Sequence, residues 1–404
     1  MFGSYKLKLT ATKKKYDQLR RDLIKQLYLN QLLTLPDLSK LTNKSLPLVT
    51  STVSDLLQEG YILESGLAPS TGGRRASTFL LNKDKQKYIV AVAMDQLVTR
   101  AVIYDLHNEV KVEEESIELP LSDDAALTSQ LTKFLKDYIA KSNIPTAQLL
   151  GVGIGMPGFV NSELGVNHTF FKLKGTESLT RFLGRELGLP VFIDNDSSLI
   201  ALAELRLGAG RDAKDLLVIN IGWGIGLGMV INGNLFRGHS GYAGEFSHIP
   251  LSQNNKICSC GKRGCLEVDT SLLVLVEKAR AEIAKGVSSR LQLLFQDQSK
   301  SAGDQFLYAA KAGDPLAVSI LSEAGLLIGK GIATLIHIMN PEVIVLGGRG
   351  AMAGNILMAP IQQAINEYCI PRLAEQTKIT VSDLAIKSEL LGAAILVVEN
   401  CEFS

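Results

Sequence analysis

Three of the chain's five cysteines fall within eight residues, in Cys258-Ser259-Cys260-Gly261-Lys262-Arg263-Gly264-Cys265, and His248 lies ten residues upstream. Three thiolates and one imidazole, with glycines that let the backbone fold round an ion, fit a closed tetrahedral zinc site of the structural type. A disulfide, disfavoured in the cytoplasm, and buried free thiols are the alternatives. Cys369 and Cys401 have no such company and read as core or surface thiols. A second kind of chemistry stands near the N-terminus. Gly72-Gly73-Arg74-Arg75 sets two adjacent guanidiniums in a flexible loop, where they can reach phosphates or a minor groove. Upstream, Ser45, Pro47, Thr50 and Ser51 form a small, hydroxyl-rich face on a short helix, the size of surface that enters a major groove.

The elements that must position these residues follow from spacing. Leu19, Leu23, Ile24, Leu27 and Tyr28 repeat at helical intervals and predict a helix from Lys14 to Asn30. Thr34-Leu35-Pro36-Asp37 supplies a hydroxyl N-cap, an early proline and an acid at the third position, which start a second helix over Leu35 to Leu41. Asn43-Lys44 turns the chain, and Ser45 is expected to cap a third helix with Val49, Val53, Leu56 and Leu57 on one face. Strands at Tyr61–Glu64 and Thr78–Leu81 bracket the arginine loop. Three helices and a hairpin of this kind make a winged helix-turn-helix over residues 1–85, and a small helical packing domain with a surface hairpin is the alternative.

From Tyr88 onward, apolar runs at Tyr88–Met94, Arg100–Tyr104, Leu150–Gly155, Val191–Ile193, Leu217–Ile221, Leu227–Ile231 and Val343–Leu346 alternate with helical stretches. This alternation predicts an α/β fold of two similar halves facing a cleft, actin-like or ribonuclease-H-like. The expected division is a first lobe over 86–200, to which the C-terminal helix 388–404 returns, and a second lobe over 201–387 that carries the cysteine cluster. Ligands in such folds sit at strand ends in the crevice. The apolar helix containing Leu316, Ile320, Leu327, Leu335 and Ile336 is a candidate oligomer interface or a buried core helix.

A chain of 404 residues with 46% hydrophobic and 21% charged residues has the length of two or three domains. Disorder, collagen and coiled coil are excluded as its main architecture. No uninterrupted run of about 18 apolar residues occurs, so no membrane span is expected. The first ten residues lack a secretory pattern, and the cytoplasm is the expected compartment. The net charge of +1 conceals a division: residues 1–85 carry 14 lysines and arginines against 7 acids, a balance of +7, and the remainder balances at −6. A basic head on an acidic body suits a polyanion partner, and a solvated lysine face is the plainer alternative.

Taken together, several motifs resemble the ROK family of sugar kinases and sugar-responsive repressors, specifically its winged-helix repressor branch. They are Gly72-Gly73-Arg74-Arg75, Gly153-Ile154-Gly155-Met156-Pro157-Gly158, Asp194-Asn195-Asp196, Glu245-Phe246-Ser247-His248, the cysteine cluster running into Leu266-Glu267, and Pro341 to Gly348. The resemblance covers nearly the whole chain. It implies a sugar or sugar phosphate held by Asn195, Asp196, Glu245, His248 and Glu267 beside Gly158, with Asp196 where the kinases have their general base. It further implies double-stranded operator DNA as partner and a homodimer or homotetramer. Ser247 departs from the family, which usually has Gly there. The phosphate loops depart more. The family's Asp-x-Gly-Gly-Thr is Asp95-Gln96-Leu97-Val98-Thr99 here, and its Gly-Thr-Gly is Gly222-Trp223-Gly224, which holds the chain's one tryptophan. The side chains of Leu97 and Val98 obstruct the close approach of backbone amides to nucleotide phosphates, and Trp223 stands in place of a hydroxyl that can bond phosphate, so kinase activity is not expected, and Asp196 would be a vestigial base. A sugar kinase with an appended DNA-binding head is the alternative.

Overall fold

The computed structural model describes residues 11–67, 75–122, 126–171, 173 and 176–403. The head consists of α1 (Ala11–Asn30), β1 (Leu33–Thr34), α2 (Leu35–Thr42), α3 (Leu46–Gln58), β2 (Ile62–Leu67) and β3 (Ser77–Leu81), with its sheet in the order β1-β3-β2. Leu19, Leu23, Ile24 and Leu27 of α1 are buried, as their helical spacing requires. Thr34 and Asp37 close a capping box at the start of α2: the Asp37 amide donates to Thr34 Oγ1 (3.3 Å) and the Thr34 amide to Asp37 Oδ2 (3.0 Å). Such a cap stabilises a helix by about 1 kcal/mol. Ser45 differs from expectation. Its backbone occupies the N-cap position of α3, but its hydroxyl makes no cap hydrogen bond, and Pro47 in the first turn presets the helical φ instead. Of the predicted wing, Gly72, Gly73 and Arg74 lie outside the described residues, whereas Arg75 is exposed beside β3.

The first lobe is built from β4 (Tyr88–Met94), β5 (Val98–Asp105), β6 (Val110–Glu118), α4 (Ala126–Lys141), β7 (Leu149–Met156), a small hairpin of β8 (Val160–Asn161) and β9 (Val166–Asn167), α5 (Leu179–Leu187) and β10 (Val191–Asn195). Its sheet runs β10-β7-β4-β5-β6. After α6 (Asp196–Leu207), the second lobe contains β11 (Leu216–Ile221), β12 (Ile225–Ile231), β13 (Asn234–Leu235), α7 (Glu267–Thr270), α8 (Leu272–Ala284), α9 (Leu291–Leu294), α10 (Ala302–Lys311), α11 (Pro315–Met339), β14 (Val343–Gly347), α12 (Asn355–Tyr368), α13 (Pro371–Ala374) and β15 (Lys378–Val381). Its sheet runs β13-β12-β11-β14-β15.

Counted within each five-stranded sheet, both have the strand order 3-2-1-4-5. In both, the first strand pairs antiparallel with the second and parallel with the fourth. The body is therefore one α/β unit repeated, the two-lobed actin-like architecture that the alternation predicts. Each lobe lends a helix to the other. α6 follows the last strand of the first sheet and packs on β11 and β12, whereas α14 (Lys387–Asn400) follows the last strand of the second sheet and packs on β4 and β7. The chain thus passes residue 200 inside a continuous helix. Gly392 lets α14 approach α6, because a Cβ there would lie 2.1 Å from the Leu199 carbonyl oxygen.

α11 is long and apolar enough to cross a membrane by length and composition, and no other helix among the described residues is. Here it belongs to the core of the second lobe, with Ile320, Leu335 and Ile336 buried. The head is not a separate bead. Leu19, Leu23, Leu27 and Val53 belong to the same apolar cluster as Ile89 and Ala91 of β4 and Ala393 and Val397 of α14. Tyr28 bonds Asn108, and Lys25 and Arg206 share Glu399 at 3.1 and 3.2 Å.

Candidate functional site

A cleft of about 400 Å³ opens between the lobes at the C-terminal ends of β4, β7, β10 and β11. Gly158, Asn195, Asp196, Glu245, His248 and Glu267 all line it. Asn195 and Asp196 stand where β10 turns into α6. Asn195 Oδ1 caps the helix by accepting from the Ser197 and Ser198 amides (3.0 and 3.3 Å), while its Nδ2 faces the Gly158 carbonyl (3.4 Å). Gly158 has φ +95°, and a Cβ there would lie 2.8 Å from the Thr169 side chain.

Asp196 Oδ1 accepts from the Ser197 amide (2.8 Å) and hydroxyl (3.2 Å), and Asn220 Nδ2 lies 3.4 Å from Oδ2. Burial pushes the Asp196 carboxyl up to about 6; the Ser197 bonds oppose the shift, and the negative charges of Asp95 and Glu245 add to it. Asn220 Oδ1 is buried without a partner. Asn220 was missed in sequence, although it is the one amide within the apolar strand β11.

Glu245 and His248 flank a single tight turn, Phe246–His248, anchored by the buried Phe246 ring. His248 Nε2 lies 3.7 Å from Glu245 Oε2, and its Nδ1 faces the other way, 3.6 Å from Cys258 Sγ and 3.9 Å from Glu267 Oε2. Burial raises the Glu245 carboxyl, with His248 opposing and Glu267 adding. Cys260 and Cys265 bring their sulfurs to 3.6 Å, and the ligand atoms of His248, Cys258, Cys260 and Cys265 all lie within 4.8 Å of one another. A tetrahedral ion with thiolate bonds of about 2.3 Å sets its sulfurs about 3.7 Å apart, so the four residues can hold a metal. Cys369 and Cys401 are buried elsewhere.

At the other end of the same cleft the charged groups are paired with one another. Arg349, which follows Gly347-Gly348 after β14, is buried between two carboxylates: Nη1 reaches both oxygens of Asp304 (2.9 Å each) and Nη2 reaches Asp95 Oδ2 (3.0 Å). The lobes are thereby tied by an ion pair at the end of β4. Asp95 Oδ1 accepts from the amides of Leu97 and Val98 (2.8 Å each), so the turn is folded on its own aspartate. Trp223 packs its ring over Gly303 of α10, and its indole Nε1 is buried without a partner. Glu389 at the start of α14 bonds Arg100 and adds a further carboxylate to the cleft wall. The only sequence signal for Arg349 is a bulky cation directly after a Gly-Gly pair.

In the head, Ser45, Pro47, Thr50 and Ser51 are exposed on α3, opposite the buried Val49, Thr52, Val53 and Leu56. These residues share a solvent face. Lys40 and Lys44 beside them are also exposed.

The sequence model described as the ROK family matches residues 95–400. The chain is 28% identical over 383 residues to the xylose repressor of Caldicellulosiruptor bescii, covering 94% of each protein. It is 32% identical over 275 residues to the glucokinase of Halalkalibacterium halodurans, an overlap of 68% of this chain and 83% of that enzyme. Among solved structures, a ROK-family transcriptional regulator homologous to the Escherichia coli Mlc protein superposes with a TM-score of 0.73 at 26% identity, over 95% of this chain and 99% of the other.

Proposed function

The chain belongs to the ROK family, and on that premise we propose that it is a DNA-binding transcriptional repressor of carbohydrate-use genes, controlled by a sugar or sugar phosphate in the interlobe cleft and lacking kinase activity. The observation that carries the reading is the unequal state of the cleft's two ends. At one end Asn195, Asp196, Glu245, His248 and Glu267 converge on open space beside Gly158. At the other, beside the two altered phosphate loops, Arg349 is paired with Asp95 and Asp304, and Trp223 packs on Gly303. Full-length similarity to a xylose repressor and partial similarity to a glucokinase favour the same choice.

The ring hydroxyls of a pyranose pair naturally with such a donor and acceptor set. Asp196 and Glu245 accept from hydroxyls, and Asn195 Nδ2 and His248 Nε2–H donate. Zinc is the ion that suits three thiolates and an imidazole, and held by Cys258, Cys260, Cys265 and His248 Nδ1 it would fix the ring so that Nε2 faces the sugar. Its role is structural. The DNA side is assigned to Ser45, Pro47, Thr50 and Ser51 of α3 in a major groove, with Arg74 and Arg75 of the wing on phosphates or in a minor groove. A homodimer or homotetramer supplies paired heads for two half-sites, in the cytoplasm where the operator is.

The route between the sites is short. α6 starts at Asp196, and near its other end Arg206 bonds Glu399, which Lys25 of the head also holds. A sugar that prefers one setting of α6 changes the seat of the head, and only that difference in affinity can move the equilibrium.

A sugar kinase with an appended head is the second reading, favoured by the Asp196 carboxyl, which lies near 6 as a general base requires. One experiment separates them: calorimetry against hexoses, pentoses and their 6-phosphates, with and without Mg-ATP. Saturable heat for one sugar, unchanged by Mg-ATP, is the expected result. Continuous heat with ATP would establish the kinase and end the first reading.

A further inference from the structure

The exposed face of α3 is apolar to an unusual degree for a helix assigned to DNA. Leu46 and Leu48 in its first turn are each 45% exposed, and Leu41 on the neighbouring α2 is 47% exposed. The helix, LPLVTSTVSDLLQ, contains no lysine, arginine or asparagine, and its one glutamine, Gln58, is the last residue, far from the first turn. Thr50 looks polar in sequence, yet its hydroxyl donates to the Leu46 carbonyl (2.8 Å), and that leaves its methyl group as the feature offered to a partner. Ser45, whose hydroxyl makes no cap bond, and the exposed Ser51 and Ser54 further along the helix are the hydroxyls that remain.

Guanine is read in the major groove by arginine or lysine at O6 and N7, and adenine by asparagine or glutamine at N6 and N7. The exposed first turn has none of these groups. The C5 methyl of thymine is instead the one apolar feature in that groove, and leucine and threonine methyls are its natural contacts. We propose that α3 reads thymine methyl groups through Leu46, Leu48 and Thr50, so that the half-site is rich in A·T pairs at the positions the helix covers. This inference rests on the DNA-binding reading above. Charge selects the occupant: the patch lies in a head with a balance of +7, flanked by exposed Lys40 and Lys44, which suits a phosphate-lined groove better than a second copy of the same basic head. Arg75, exposed at the base of the wing, favours the same composition, because A·T tracts narrow the minor groove and attract arginine.

The test uses the full-length protein. Duplexes are selected from a random 30-base-pair library, and the preferred one is remade with deoxyuridine in place of thymidine, a change that deletes only the methyl groups. The expected result is an A·T-rich duplex whose affinity falls about fourfold for each contacted methyl lost. Leu48→Ala, on an exposed side chain, is expected to bind the thymidine and deoxyuridine duplexes with a smaller difference than the unaltered protein. Lys44→Ala should weaken both duplexes equally, as a phosphate contact does. Equal affinity of the unaltered protein for the two duplexes, or selection of a G·C-rich site, would overturn the inference and leave DNA binding standing. If methyl loss has no effect and Leu48→Ala changes the oligomeric state, the patch belongs to a second copy and the inference also fails. Selection of no duplex at all would remove the inference and the DNA-binding reading together.

Discussion

The two ends of the interlobe cleft have the same architectural origin and opposite chemistry. Asn195, Asp196 and Glu245 stand at strand and turn ends with oxygens and an amide nitrogen directed at a cavity. Asp95, Asp304 and Arg349 stand at equivalent strand and helix ends and are consumed by one another. Both arrangements bury charge. In the first, Asp196 is balanced only by local hydrogen bonds, and its carboxyl is raised to about 6; in the second, each acid faces a guanidinium. A repeated fold can keep one ligand site and lose another without altering its sheets, because a site depends on whether polar groups at strand ends are left for a ligand or paired internally.

The comparison breaks most readily at Arg349. Arg349→Leu keeps much of the bulk but leaves Asp95 and Asp304 facing each other without a cation, and it should cost about 2 to 3 kcal/mol of stability in urea denaturation, less than a fully buried pair because Asp304 keeps 34% of its side chain exposed. A loss below about 1 kcal/mol would mean that the bridge does not hold the lobes together at that end. Next in size, Asp196→Asn is expected to weaken the sugar found by calorimetry by about 30-fold, near 2 kcal/mol for a charged hydrogen bond, with operator affinity in the absence of sugar preserved. Equal loss of both activities would show that the cleft and the head are not separable functions.

The smallest effect is in pH and sharpens the contrast. Because the folded pKa of Asp196 is raised above its unfolded value, the folded chain binds the proton more tightly, and burial of the charge costs stability as pH rises from 3.8 to about 6, with the full cost standing above that. Unliganded Asp196→Asn should therefore melt higher than the unaltered protein at pH 8, with the gap closing by pH 4. Sugar affinity runs in the opposite sense: if the ionised carboxylate accepts the hydroxyl, binding should weaken about tenfold from pH 7 to pH 5. A flat profile would remove Asp196 from the ligand contacts.

Much of this was readable in the chain. The strand over Tyr88–Met94 appears at its predicted bounds, and the helix starts at Leu35 and after Ser45 follow from proline and cap positions that act locally. The edge strand β6 was not legible, because Glu113-Glu114-Glu115 interrupts any simple alternation and an edge tolerates such acids on its solvent side. The convergence of Gly158, Asn195, Asp196, Glu245, His248 and Glu267 was expected from motif resemblance and not from spacing, since these residues come from the ends of β7 and β10, the Phe246–His248 turn and the start of α7. The Arg349 bridge was not legible at all. Its partners lie 254 and 45 residues away in sequence, Asp95 across the cleft in the other lobe and Asp304 on α10 of the same lobe, and only the tertiary fold brings them within hydrogen-bonding range. The capping hydroxyl assigned to Ser45 illustrates the converse error: a residue of the right type in the right place need not make the bond its type permits.

The apolar cluster that runs from α1 through β4 into α14 limits how this protein can be rebuilt. A regulator whose reader domain hung on a linker could exchange it for another, as a cassette, and keep its response to ligand. Here a transplant of residues 1–85 would strip Ile89, Ala91, Ala393 and Val397 of the side chains that cover them and leave Glu399 without Lys25. A viable chimera has to carry α14 along with the head, so the natural unit of exchange joins the two termini of the chain rather than following its order.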